Sequence, residues 1–244
     1  MNDLLRNRLT ALADKYECPD FIKSDPVQFP HRYTLKQDIE ISAFVSAWMA
    51  YGSRKVFLGI LDRLHRTFDS YGGPYDYIID EGFRTIDISE KDKCLYRFYK
   101  WGDFLELCER LNLLYREYGG LENLFCKEKN LQDSVLALCR FFEGVNGIPV
   151  PESKSANKRL YMFLRWMIRQ DSSVDFGLWK SFPASELIIP LDTHVYQEAR
   201  KMGLTSRCAA DLKMAHEITQ HLAEIWPDDP VKGDFALYGL GVDQ

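Results

Sequence analysis

The chain is 244 residues long, 46% hydrophobic, 14% aromatic and 27% charged, with a formal net charge of −5. That composition supports a sizeable core and excludes disordered, collagen-like and low-complexity chains, while its acidic balance argues against indiscriminate nucleic-acid binding. No apolar run reaches the roughly 18 residues of a membrane helix, and MNDLLRNRLTALADKYEC lacks the features of a signal peptide. The expectation is a cytoplasmic monomer without a membrane partner.

Helical periodicity dominates, and sustained alternation is nearly absent, so the expected fold is all-α. The opening DLLRNRLTALADKY spaces its leucines helically and stops near Cys18-Pro19. The proline-punctuated SDPVQFPHRY leads into a second helix, about Leu35 to Tyr51, closed by Gly52, and a third, Arg54 to Phe68. After the turn-rich YGGPYDY come helical segments near Trp101–Tyr118, Leu121–Cys126 and Gln132–Phe142. A Gly/Pro-rich loop, EGVNGIPVPESKS, precedes a strongly apolar helix at about Asn157 to Gln170. The last third holds a helix capped by Asp192 and stopped by Gly203, then helices at about Asp211–Trp226 and Pro230–Gly239. Two helical lobes with a cleft are expected: 36–171 carrying the lysine helix, and 1–35 with 172–244 carrying the aspartate.

The six cysteines form no CxxC and no Cys-His cluster, and His216 and His221, five apart, diverge around a helix. No metal site, metal cluster or cofactor is therefore expected.

Between Ser153 and Arg169 lie Lys154, Lys158, Arg159, Arg165 and Arg169, with no acid among them. On a helix, positions 158, 165 and 169 share one face, which fits either a phosphate-facing stripe or a solvated cationic side. With Ser155 as N-cap, Lys158 falls in the first helical turn, where the helix dipole disfavours its charge. That field would lower its pKa, as a Schiff-base nucleophile requires; the same position also suits an ordinary surface lysine. Asp192 reads as an N-cap, a role compatible with stabilising a cation or moving a proton.

The pair NKRLYMFLRWM and IIPLDTHVYQEARKMGL resembles the lysine and aspartate signatures of the helix-hairpin-helix DNA glycosylase superfamily. Lys158 and Asp192 are 34 positions apart (192 minus 158), closer to the archaeal 8-oxoguanine branch than to endonuclease III-like members. DPVKGDFALYGLG is similar to the late helix that packs near that aspartate. The loop GIPVPESKSANK carries serine where the superfamily's hairpin has glycine. A second resemblance spans nearly the whole chain. DPVQFPHRY, EISAFVSAWMAYGSR, KRLYMFLRWMIR, LIIPLDTHV and DFALYGLG are together similar to an uncharacterised bacterial family, a domain of unknown function.

The glycosylase resemblance implies that Lys158 attacks the sugar C1′ of a flipped nucleotide in damaged or abasic DNA, with Asp192 assisting. It also implies phosphate contacts from Lys154, Ser155, Arg159, Arg165 and Arg169. Arg54 and Lys55 would lie in the turn (Tyr51 to Lys55) where glycosylases wedge the duplex. Tyr99, Trp101 and His194 would line the base pocket. Two other readings remain open: a non-catalytic DNA- or RNA-binding module dependent on Arg165 and Arg169, and a helical protein-interaction module.

Overall fold

In the computed structural model, which describes residues 1–243, 62% of the chain is helical and 3% is strand. The all-α expectation holds. The first half contains α1 (Asp3–Tyr16), α2 (Pro19–Ile22), α3 (Lys36–Met49), α4 (Arg54–Ser70) and α5 (Pro74–Ile79). A short antiparallel hairpin, β1 (Cys94–Tyr96) and β2 (Tyr99–Lys100), leads into α6 (Trp101–Tyr118), α7 (Leu121–Phe125) and α8 (Leu131–Phe141). The last third holds α9 (Lys158–Ile168), α10 (Thr193–Lys201), α11 (Leu212–Ala223) and α12 (Gly233–Val242). Among the described residues, no helix is long and apolar enough to cross a membrane.

Two compact units divide the chain: residues 26–152 form one, and residues 1–25 with 153–244 form the other. The central unit is organised on α3, which is buried on nearly every side from Asp38 to Met49. Two acids inside it are tolerated because each serves the start of another helix. Asp38 Oδ1 accepts from the Tyr75 amide at 2.8 Å, in the first turn of α5. Glu40 Oε2 accepts from the Leu121 amide at 3.2 Å, where α7 begins, and from the Tyr115 hydroxyl at 2.8 Å. Buried carboxylates so satisfied escape much of the desolvation penalty. Turns at Pro26–Gln28 and Pro30–Arg32 also pack against α3. The proline-rich segment that reads as a connector is thus part of this unit.

In the other unit α12 packs against both α1 and α10. The α9 helix is buried continuously from Leu160 to Ile168, and the irregular chain after it folds back along its end. The Phe176 and Trp179 amides donate to the carbonyls of Trp166 and Met167, each at 2.8 Å, satisfying acceptors the helix leaves open. Trp179 meets Phe163 edge-on at 5.4 Å. The expected lobe boundaries at 36 and 171 therefore need correction. The lysine helix belongs with the aspartate helix, because its charged face is turned onto carboxylates of its own unit.

The candidate lysine–aspartate site

Helix α9 begins at Lys158, two residues later than a Ser155 cap implies. Asn157 occupies the cap position with φ 48 and ψ 39, without a side-chain capping bond. Asparagine is among the residues that best tolerate this left-handed geometry. Ser155, expected as the cap, instead accepts from the Asn157 amide at 3.4 Å and forms an isolated bridge with Asp211. Lys158 nevertheless lies in the first turn, as the sequence suggests.

Asp192 caps α10, with Oδ1 accepting from the His194 amide at 2.9 Å. Its other oxygen, Oδ2, stands 2.9 Å from Nζ of Lys158. The carboxylate thus divides its two oxygens between a helix start and an ammonium. The Lys158 side chain is 32% exposed and that of Asp192 19%, so the pair is desolvated but within reach of solvent. Burial opposes ionisation of Asp192. The Lys158 ammonium, its hydrogen bond and the His194 N–H outweigh that penalty and hold the carboxyl below its ordinary range. His194 is half-buried, with its ring edge-on to Tyr238 at 6.2 Å. Gly241 makes room for it: a Cβ there would stand 2.6 Å from the His194 Cβ.

Deeper along the same face of α9, the expected phosphate-facing role of Arg165 and Arg169 requires correction. Both are essentially buried. Arg165 pairs with Asp234 and, at 3.2 Å, with Asp175. Arg169 bonds Asp175 at 3.0 Å, Asp229 at 2.8 Å and Glu17. The Phe235 ring lies 4.4 Å from the Arg165 guanidinium carbon and 5.2 Å from that of Arg169. Periodicity grouped these cations correctly but did not reveal which way their face points. The acids that neutralise them come from three segments: Glu17 after α1, Asp175 after α9, and Asp229 with Asp234 at the start of α12.

Two guanidinium groups thus face four carboxylates; burial holds the Asp229 carboxyl above its ordinary value, and it does the same to Asp234. The Asp234 carboxyl is pushed up to about 6, first by burial and then by the Asp192 charge, against the pull of Arg165 and Lys158. Asp234 is therefore electrostatically coupled to the Lys158–Asp192 pair, a relation the sequence reading missed. The available signal was an isolated acid within the otherwise apolar GDFALYGLG, since a buried acid needs a cationic partner.

The remaining expected contacts are dispersed. Lys154 and Ser155 are exposed and Arg159 is half-buried near the start of α9. Arg54 and Lys55 occupy the first turn of α4 in the central unit, half-buried and exposed respectively. Trp101 is half-buried and edge-on to Phe104 at 6.1 Å. Tyr99 is a correction: it is fully buried against Trp48 at 4.2 Å and donates its hydroxyl to the Trp48 carbonyl at 3.1 Å. Its alternation with exposed Phe98 follows the strand pattern, whereas a base receiver needs an open ring face. Among the described residues, no group of three or more His, Cys, Asp or Glu is placed to hold a metal ion.

Residues 25–243 match a protein family described as a protein of unknown function (DUF2400). No curated protein and no solved structure matches the chain.

Proposed function

This chain belongs to the DUF2400 family, and within it we propose a DNA glycosylase or glycosylase/AP-lyase-like protein that uses Lys158 and Asp192. The observation carrying this reading is the 2.9 Å approach of Lys158 Nζ to Asp192 Oδ2. Two groups 34 positions apart in sequence meet at the start of two helices, partly open to solvent. An amine beside a fixed anion is the equipment required for covalent attack on a sugar carbon that develops positive charge.

In this mechanism Lys158 gives up a proton and its nitrogen bonds to C1′ of the damaged nucleotide. The C1′–N glycosidic bond breaks, its electron pair leaves with the base, and the base takes up a proton. Asp192, already ionised and held by the His194 amide, offsets the charge that develops at C1′. Loss of the second proton from the lysine nitrogen and opening of the sugar ring, whose oxygen is protonated, give a C1′ imine. Departure of a C2′ proton then expels the 3′ phosphate, and water releases the lysine. Of the expected phosphate contacts, Lys154, Ser155 and Arg159 suit a DNA backbone, because they surround the α9 start.

Borohydride reduction in the presence of oxidised, deaminated and abasic DNA tests the proposal. A covalent protein–DNA adduct is expected, lost in Lys158→Gln and reduced in Asp192→Asn. No adduct across the panel, or one that survives Lys158→Gln, overturns it.

A further inference from the structure

In the central unit, the hairpin tip lies against the connection between α3 and α4. Gly52 in that connection has φ +79, and a Cβ there would stand 2.6 Å from Nη1 of Arg97 and 2.8 Å from the Tyr96 hydroxyl. Glycine is what allows the hairpin side chains to settle on this backbone. The Tyr96 hydroxyl donates to the Tyr51 carbonyl at 2.5 Å, fastening the two segments together. Arg97, at the hairpin turn, has φ 54, a conformation uncommon for a non-glycine residue. Its guanidinium carbon stands 5.2 Å from the centre of the Tyr51 ring, and that ring is 5.0 Å from Phe98.

These groups are held in place yet open to solvent: Tyr51 is 43% and Phe98 47% exposed. Single exposed aromatics are ordinary, but two in contact, braced by a guanidinium on a strained turn, form a preorganised surface. Cations flank it. Arg54 and Lys55 follow in the first turn of α4, which contains no acid, although the helix dipole disfavours positive charge there. Among the described residues, no carboxylate forms an ion pair with Arg97 or Lys55. Half-exposed rings beside Arg97 and Lys55 complement a ligand that is flat, π-rich and anionic.

We propose that Tyr51, Phe98 and Arg97 form a stacking platform for the unpaired bases of a single-stranded nucleic acid, with Arg54 and Lys55 supplying phosphate contacts. Stacking tolerates any base because each has a π face, and a duplex hides those faces. This inference concerns the central unit and does not depend on the chemistry of Lys158.

Fluorescence anisotropy with labelled dT and rU 12-mers, and with a 12-base-pair duplex, tests it. Either single strand is expected to bind more tightly than the duplex. Tyr51→Ala with Phe98→Ala should weaken single-strand binding by about tenfold or more, with only a small change in the thermal melt, because neither ring belongs to the buried core. Tyr51→Trp with Phe98→Trp should retain affinity and show fluorescence quenching by the oligonucleotide. Lys55→Glu should flatten the salt dependence of binding. Affinity within twofold of the parent in the double alanine variant overturns the proposal, as does tighter binding of the duplex. Absence of binding to all three probes also overturns it and leaves the patch to a protein partner.

Discussion

Asp234→Asn isolates the charge imbalance beneath the lysine–aspartate pair. Asp234 is buried with Arg165, and burial, with the Asp192 charge, pushes its carboxyl to about 6, against an ordinary value of 3.8. A carboxyl raised in the folded state binds more protons folded than unfolded between those values. Its contribution to stability therefore falls as pH rises from about 4 to about 6. A displacement of about two pH units corresponds to about 3 kcal/mol. Asparagine retains an oxygen acceptor for Arg165 but cannot ionise. Urea unfolding of both proteins from pH 4.5 to 7.5 should show Asp234→Asn gaining relative to the parent by about 2 kcal/mol as pH rises, the rest of the difference falling below pH 4.5. Parallel stability curves would refute the imbalance and with it the coupling of Asp234 to the site.

The two roles of Asp192 should separate by substitution. Asp192→Asn keeps a capping oxygen and should unfold within about 1 kcal/mol of the parent, whereas Asp192→Ala should lose about 1 kcal/mol more by thermal or urea melts; both should diminish borohydride trapping. Because the Asp192 carboxyl is depressed in the folded state, its contribution is present above the ordinary carboxylate range and lost on acidification. Arg169→Met leaves Glu17, Asp175 and Asp229 without their shared cation and should destabilise by about 3–5 kcal/mol in urea, largely independently of added DNA.

Local signals in the sequence carried well into the structure. The helix expected at Trp101–Tyr118 is found with those bounds and ends at Gly119, whose φ of 75 suits a glycine C-cap. Asp192 caps its helix as its place before THVYQEARK suggests. The short hairpin at Cys94–Lys100 was obscured because strands of three and two residues are too brief to establish a period. The direction of the α9 cationic face was hidden for a different reason. Its partners Glu17, Asp229 and Asp234 lie at least 60 positions away in sequence, Asp175 returns from the irregular chain after α9, and only the folded chain gathers them. The unit boundary likewise depended on tertiary packing, since the prolines at 26 and 30 start turns against α3 rather than a free linker.

The central claim is that the Lys158 nitrogen becomes bonded to a sugar carbon. Proteolysis of the reduced protein–DNA adduct, followed by mass spectrometry of the nucleotide-bearing peptide, addresses that bond directly. The account predicts a deoxyribose-derived mass increment on Lys158 itself. The same increment on Lys154, or on a lysine of the central unit, would contradict it.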